Sequence, residues 1–236
     1  MTPTLRWTVD PRWGEFEERL NRFAARVRVS GTSYRAYVPN PSRLEELFTP
    51  GRRVLLDRKP AAGPRRTAFD LVGVQLEGFL ASVDSRVPNR VLTFGLDHGW
   101  FPFLKGYRIR KAEHSFGRSR LDFLLEHPRR GPLLLETKSC TLVREGAALF
   151  PDVPTTRGAR HLLELKDFLD RHTRAMVLWV VQRPDARYLR PYCEVDPRFC
   201  EALQQAVAAG VELRAVRLQV TPRELWVEQE IPVRIP

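Results

Sequence analysis

The sequence has few cysteines and no long apolar run. An odd number of cysteines, Cys140, Cys193 and Cys200, with no C-x-x-C pair argues against a disulfide scaffold. The longest apolar run, residues 175–181, is much shorter than the ~20 residues that a membrane-spanning helix needs. Residues 1–20 contain no apolar signal core. We therefore expect a cytoplasmic protein that has no membrane partner.

Positive charge is the strongest signal in the composition. The chain has 39 basic and 28 acidic residues, a net charge of +11 and a pI of about 10.3. The excess is present both in residues 1–80 and in residues 81–236, so it is not a basic tail. Arginine supplies most of it, which suits phosphate recognition, although a codon bias toward arginine explains the Arg/Lys ratio equally well. A polyanion partner, DNA or RNA, is expected.

The first third of the chain is predicted to be a small β-barrel. Short strand patterns separated by turn residues occur at 22–30, 34–39, 52–57, 67–76 and 78–83. A short helix is predicted at 42–48, between the second and third strands. Five strands with one helix indicate an OB-like barrel, and we place this domain at residues 1–83.

The remaining residues, 84–236, are predicted to form a second, mixed α/β domain. Helices are predicted at 85–99, 155–172 and 197–209, and strands at 107–114, 121–126, 133–139, 175–182, 211–220 and 225–229. Alternating strands and helices indicate a central mixed sheet flanked by helices.

Two neighbouring strands of this domain carry a candidate catalytic cluster. Glu136 and Lys138 are two residues apart on a strand, so both side chains point to one face. A turn centred near residue 129 pairs the two strands so that Asp122 lies opposite Glu136. Two carboxylates suit a hard cation, Mg²⁺ or Mn²⁺, with the Thr137 carbonyl as a further ligand. Such a site hydrolyses phosphodiesters, with Lys138 stabilising the transition state.

A solvated ion pair between Glu136 and Lys138 is the main alternative, since E-x-K occurs often on exposed strands. The apolar run at 133–135 favours the site, because charges at the end of a buried strand are costly unless they are neutralised. An acidic residue on the partner strand would increase that cost without a cation.

Residues near this cluster are suited to bind phosphate. Arg118 and Arg120 precede Asp122, and Arg157 lies at the start of a predicted helix, where phosphate is favoured. Arg157, His161 and Glu164 have helical spacing and form a polar stripe. A solvated surface containing an Arg160–Glu164 ion pair explains the stripe equally well.

The motifs RSRLDFLLE, LLETKSCTLV, ALFPDVPTTRGARHLLEL and VLWVVQR, in this order over residues 115–185, resemble the sugar fermentation stimulation protein A (SfsA) family. The resemblance implies an N-terminal OB-like domain and a C-terminal PD-(D/E)xK restriction-endonuclease-like domain. It also implies DNA binding and a regulatory link to sugar metabolism. At two places the chain departs from the family pattern: it has V-P-N-P-S where C-P-N-T-G is usual, and T-T-R-G where T-E-R-G is common.

The resemblance also implies roles for particular residues. Asp122 matches the signature aspartate of the nuclease fold, and Glu136 and Lys138 match its E-x-K. Further family positions are Arg120, Arg157, Gly158, His161 and Glu164. Many nucleases of this fold carry a glutamate on the first helix, where this chain has Asn89 and Arg90. We expect Asn89 and Arg90 to contact nucleic acid, and we expect no second metal there.

The sequence is therefore compatible with three functions. The first is a metal-dependent nuclease acting on DNA or RNA. The second is a DNA-binding regulator that cuts nothing, with barrel contacts from Tyr34, Arg35, Tyr37, Asn40 and Arg43, because OB barrels bind single strands by stacking and charge. The third is an inherited but silent site held together by a structural ion pair.

Overall fold

A computed structural model describes residues 3–59, 67–117 and 119–235. Its N-terminal part is a small closed barrel. The strands of this part are β1 (Leu5–Arg6), β2 (Pro11–Asn21), β3 (Ala24–Val29), β4 (Thr32–Tyr37), β5 (Arg53–Arg58), β6 (Phe69–Leu76) and β7 (Phe79–Ser82). The order β4-β3-β2-β5-β6-β7 is closed by pairing of β4 with β6, so β2 to β6 form a five-stranded barrel. The predicted OB-type barrel is confirmed.

Two features of the barrel differ from the sequence prediction. The strand β2 was not predicted, because register shifts near Phe16 and Arg19 break the alternation of apolar and polar residues. The helix predicted at 42–48 is wrong. Leu44 has a positive φ of 57°, and the segment makes only a tight turn closed by the Phe48 N–H on the Leu44 carbonyl. Leu44, Leu47 and Phe48 instead contribute to the barrel core.

The second part of the chain is built on a seven-stranded mixed sheet. Its elements are α1 (Val87–Asp97), β8 (Arg108–Phe116), β9 (Ser119–Glu126), β10 (Leu133–Cys140), β11 (Val143–Arg144), β12 (Ala147–Phe150), α2 (Thr156–Phe168), β13 (Arg174–Val181), β14 (Tyr188–Pro191), α3 (Pro197–Ala209), β15 (Glu212–Val220) and β16 (Glu224–Ile231). The sheet order is β1-β16-β15-β13-β10-β9-β8, and β11, β12 and β14 form a small second sheet. The three central strands β10, β13 and β15 are parallel.

Helices cover both faces of the central strands. Met176 and Leu178 of β13 pack on the α1 side, and Val177 and Trp179 pack on the side of α2 and α3. The strand is therefore buried on both faces, as its continuous apolar run predicted. The predicted fold class, an OB-type barrel followed by a restriction-endonuclease-like mixed sheet flanked by helices, is confirmed.

The second helix is shorter than predicted, ending at Phe168 instead of residue 172. Its start is capped by Thr155, whose hydroxyl accepts the Gly158 N–H at 3.0 Å. Asp196 caps α3 through the Phe199 N–H and also accepts the Thr155 N–H at 2.7 Å. One carboxylate therefore ties the starts of α2 and α3 together.

The beginning of the chain packs on the seven-stranded sheet. Residues of β1 pair with β16, and the Trp7 side chain lies in the core beside α1. Barrel residues, among them Leu55 and Leu80, belong to the same core cluster. The division of the chain at residue 83 stays a prediction. Within the ranges that the structure describes, no helix is both long and apolar enough to cross a membrane.

Contrary to the expectation from the cysteine count, Cys193 and Cys200 form a disulfide, whereas Cys140 is a buried thiol. The bond closes a short loop that contains Asp196. We expect the double variant Cys193→Ser/Cys200→Ser to lose about 2 kcal/mol of unfolding free energy, because the unfolded chain gains the entropy of the open loop. Urea denaturation measures this loss. Dithiothreitol should destabilise the parent protein and leave the variant unchanged; equal sensitivity of both would contradict the prediction.

Candidate active site

The cluster predicted on β9 and β10 lies where the pairing of these strands ends. The ladder pairs Leu133 with Leu125 and continues to Leu135 opposite Phe123. At the next position the backbone N–H groups bind side-chain carboxylates instead of backbone carbonyls. The Asp122 N–H donates to Glu136 Oε2 at 3.2 Å, and the Thr137 N–H donates to Asp122 Oδ2 at 2.9 Å. The register deduced from the turn is therefore the observed one.

The backbone is irregular around Asp122. Leu121 and Leu124 pack on the α2 side of the sheet, whereas Phe123 and Leu125 pack on the α1 side, so strict alternation fails at Asp122. On the neighbouring strand β8, Glu113 has a positive φ of 52° and lies between the residues that pair with Leu121 and Phe123. Non-glycine residues with this conformation are costly and concentrate at functional sites.

The two carboxylates have opposite electrostatic environments. Burial and the nearby charge of Glu136 raise the pKa of Asp122, and hydrogen bonds from Thr137 only partly offset them. Burial also acts to raise the pKa of Glu136, but the Lys138 charge and hydrogen bonds from His161 and Lys138 lower it to about 2. Glu136 is thus held as a carboxylate, whereas the Lys138 charge offsets only part of the raised pKa of Asp122.

Lys138 and His161 hold one oxygen of Glu136. Lys138 Nζ lies 2.6 Å and His161 Nδ1 2.5 Å from Glu136 Oε1. His161 comes from α2 and is 1% exposed. Gly158 allows this helix to lie close to α3, because a Cβ there would meet Phe199 at 3.3 Å and Thr155 at 2.7 Å.

Asn89 reaches the cluster from the other side of the sheet. Its amide nitrogen lies 3.3 Å from Asp122 Oδ1, and its oxygen accepts the Thr137 hydroxyl. The same hydroxyl also lies 2.7 Å from Asp122 Oδ2. Asn89 therefore orients Asp122. Sequence reasoning placed Asn89 on the nucleic-acid path, and only its position at the start of α1 indicated that it belongs to this cluster.

The donor set fits a hard divalent cation. Among the described residues, Asp122 Oδ1 has only the long contact with Asn89 and Glu136 Oε2 has only one N–H donor, so both oxygens keep acceptor capacity. The Thr137 carbonyl points to the same side of β10 as its N–H, toward Asp122. No cluster of three or more His, Cys, Asp or Glu side chains that could hold a metal is found among the described residues. Two carboxylates and a carbonyl match Mg²⁺, which usually keeps several waters.

Several predicted phosphate contacts are exposed beside the cluster. Arg120 lies two residues before Asp122 and pairs weakly with Glu113 at 3.4 Å. Arg157 lies in the first turn of α2, is exposed, and donates from Nε to His161 Nε2 at 3.2 Å. Arg118 lies outside the described residues. Arg160, for which an ion pair with Glu164 was the alternative, donates to the Ser119 hydroxyl at 2.9 Å.

Besides Asn89, three residues expected to contact nucleic acid bind groups of the protein itself. His161 is buried against Glu136. Asn40 is 3% exposed, and its amide binds the Val83 carbonyl and the Ser42 N–H. The Arg90 guanidinium donates to the backbone carbonyls of Arg6 and Trp7. These predictions rested on residue type and position along the chain, and the structure shows that His161 and Asn40 are buried on their partners whereas Arg90 is exposed. Other predicted barrel contacts, Tyr34, Arg35 and Arg43, are exposed.

Comparisons with known proteins agree with this architecture. A family model for the SfsA N-terminal OB domain matches residues 18–83, and a model for the sugar fermentation stimulation protein RE domain matches residues 86–224. The chain belongs to the SfsA family. A sugar fermentation stimulation protein homolog of Moorella thermoacetica is 44% identical over 207 residues, covering 88% of this chain and 89% of the relative. A homolog of Natranaerobius thermophilus is 41% identical over 223 residues, covering 93% and 92%.

A solved SfsA structure is also similar. Pyrococcus furiosus SfsA in complex with Ca²⁺ is 33% identical, with a TM-score of 0.89 over 98% of each chain. SfsA membership and the OB domain are thus established for this chain, and the resemblance read from its motifs is confirmed.

Proposed function

We propose that this SfsA-family protein is a metal-dependent phosphodiesterase that cleaves DNA or RNA in the cytoplasm. The observation that carries the proposal is the convergence of Asp122, Glu136 and Lys138 where the β9–β10 ladder ends. Two largely buried carboxylates repel each other, and a divalent cation would remove that cost. Exposed Arg120 and Arg157 on either side supply charge for a polyanionic substrate.

Each residue has a role in this proposal. Asp122 and Glu136 would hold Mg²⁺ or Mn²⁺ with the Thr137 carbonyl. When bound, such a cation polarises the phosphodiester, activates water and stabilises charge on the leaving oxygen. Lys138 presents an ammonium beside Glu136 and stabilises the negative charge that develops on the phosphate. Pyrococcus furiosus SfsA in complex with Ca²⁺ supports divalent-cation binding by this chain, because Ca²⁺ and Mg²⁺ both take oxygen ligands.

The test is cleavage of single- and double-stranded DNA and RNA with Mg²⁺, Mn²⁺ or EDTA. We expect cleavage that needs a divalent cation and that falls at least about a hundredfold in Glu136→Gln, because the amide carries no charge for the cation. Binding of nucleic acid in EDTA should change little.

Glu126→Gln is the matched control, since Glu126 is an exposed residue at the far end of β9. Circular dichroism should first show that both variants are folded. Equal cleavage by Glu136→Gln and the parent protein would refute the proposal.

A DNA-binding protein that cuts nothing and regulates sugar metabolism is the second candidate. The observation that favours it is exposed aromatic and basic side chains on the barrel: Phe23, which stacks on Tyr37, is 45% exposed, Tyr34 is 38% exposed, and Arg35 is exposed as well. Aromatic faces and arginines bind single strands with a steep dependence on salt. Tight, salt-sensitive binding without cleavage under any cation would favour this function.

A further inference from the structure

The imidazole of His161 connects the two halves of the proposed site. Its Nδ1 faces Glu136 Oε1, and its Nε2 accepts the Nε–H of Arg157. The ring is almost fully buried, so water does not compete for either nitrogen. His161 lies one helical turn after Arg157 on α2, which brings the exposed guanidinium and the buried carboxylate to opposite edges of one ring.

The hydrogen bonds determine which nitrogen carries the proton. A guanidinium N–H can only donate, so Nε2 must be the acceptor. The proton of the neutral ring is therefore on Nδ1, where it donates to Glu136. Because His161 and Lys138 both donate to Oε1, the carboxylate is held with Oε2 toward Asp122.

Arg157 is oriented by the same ring. Its Nε is used by His161, and its other N–H groups make no hydrogen bond within the described residues. An exposed guanidinium held at Nε presents its terminal N–H groups as a fork, which matches the geometry of a phosphate. Its place in the first turn of α2 adds the positive end of the helix dipole.

We propose that His161 is a positioning residue that serves both cation binding and phosphate binding. Through Nδ1–H it fixes Glu136 for the divalent cation, and through Nε2 it fixes Arg157 for a phosphate next to the scissile phosphodiester. The inference rests on the proposed function.

Two amide variants separate the two contacts. The side-chain amide of Asn reaches about as far from the backbone as Nδ1, and the longer Gln reaches about as far as Nε2. His161→Asn keeps a donor for Glu136 and loses the acceptor for Arg157. His161→Gln keeps the acceptor and loses the donor. Both variants place an amide at the same buried position, so each is the matched control for the other. Thermal unfolding shows whether both are folded.

Two binding measurements that need no turnover provide the readout. Mg²⁺ affinity is measured by isothermal titration without nucleic acid, and affinity for a labelled oligonucleotide is measured in EDTA. We expect His161→Gln to lower the affinity for Mg²⁺ about tenfold, because losing a residue that hydrogen-bonds to a metal ligand typically has an effect of this size. We expect His161→Asn to lower the affinity for the oligonucleotide about as much as Arg157→Ala does. The double variant His161→Asn/Arg157→Ala should bind the oligonucleotide no more weakly than Arg157→Ala alone.

The outcomes are distinct. Unchanged Mg²⁺ affinity in His161→Gln would overturn the Glu136 half of the inference, and additive effects on oligonucleotide affinity in the double variant would overturn the Arg157 half. A parent protein that binds no Mg²⁺ would overturn the Glu136 half of the inference and the proposed function together. A parent protein that binds Mg²⁺ and oligonucleotide but cleaves nothing would refute only the proposed function, because both binding measurements would still report on His161.

Discussion

Asp122→Asn should unfold at a higher temperature than the parent protein at pH 7 when no divalent cation is present. Its cleavage of nucleic acid with Mg²⁺ should fall about a thousandfold. Burial and the charge of Glu136 both disfavour ionised Asp122. The isosteric amide removes that charge and keeps an oxygen for the Thr137 N–H. The same change removes a negatively charged ligand of the proposed cation, so stability and activity should move in opposite directions.

The gain in stability should depend on pH and on metal. The pKa of Asp122 is raised in the folded state, so the protonated form stabilises the fold at low pH and this contribution is lost as pH rises through the raised pKa. The advantage of Asp122→Asn should therefore appear near neutral pH and vanish below about pH 3.8, the ordinary pKa of the aspartate side chain. Adding Mg²⁺ should raise the melting temperature of the parent protein and leave that of the variant unchanged.

Differential scanning fluorimetry with Mg²⁺ or EDTA measures these changes. Asp167→Asn is the control, because Asp167 is an exposed residue of α2 and the substitution makes the same charge change. An Asp122→Asn variant less stable than the parent protein in EDTA would show that ionised Asp122 stabilises the fold, and would remove the electrostatic argument for a cation.

The core of this site could be predicted because it depends on short-range rules. Spacing along a strand places Glu136 and Lys138 on one face, and the turn between β9 and β10 sets the position of Asp122. Both inferences need only the period of a strand and the length of one connection. They required no knowledge of how helices pack on the sheet.

The partners of these residues could not be predicted in the same way. Asn89 and His161 reach the cluster from helices on opposite faces of the sheet, and their distances to it depend on the packing of α1 and α2. Charge and residue type also do not show which polar side chains already bind other parts of the protein. Arg90 and Asn40 read as nucleic-acid contacts, yet both bind backbone groups from distant parts of the chain.

The fold shows the same limit. The strand β13 and helix α3 carry continuous local signals, an apolar run and a terminal Gly210, and both were predicted. The long strand β2 was missed because two register shifts interrupt its pattern, and the turn at Leu44 was mistaken for a helix because a positive φ is not visible in the sequence.

Lys138→Ala should lower the unfolding free energy by about 3 kcal/mol and cleavage by about a thousandfold. The Lys138 and Glu136 side chains are only 12% and 5% exposed, and their ion pair is 2.6 Å long. Removing the ammonium leaves a buried carboxylate that, in the part of the chain the structure describes, keeps hydrogen bonds from His161 and one backbone N–H. Urea denaturation and a cleavage assay measure the two effects. Lys105→Ala is the control, because Lys105 is exposed and lies outside the cluster.

The loss of stability should depend on pH in a defined direction. The pKa of Glu136 falls from 4.5 to about 2 on folding, so ionised Glu136 contributes stability above pH 4.5, and this contribution is lost as pH falls toward 2. The difference between the parent protein and Lys138→Ala should be largest at neutral pH and shrink in that acid range. A difference that stays constant from pH 7 to pH 3 would show that Lys138 stabilises the fold by packing rather than by its charge.

Lys138→Arg separates the structural role of the ammonium from a catalytic one. Arginine keeps the positive charge beside Glu136 and should recover most of the stability. Its planar, delocalised guanidinium cannot reproduce a compact ammonium aimed at one phosphate oxygen. If Lys138 acts on the substrate, cleavage by Lys138→Arg should stay low while its stability returns. Recovery of both quantities would mean that Lys138 serves only to hold Glu136, and the developing charge on the phosphate would then have to be met by Arg120 or Arg157.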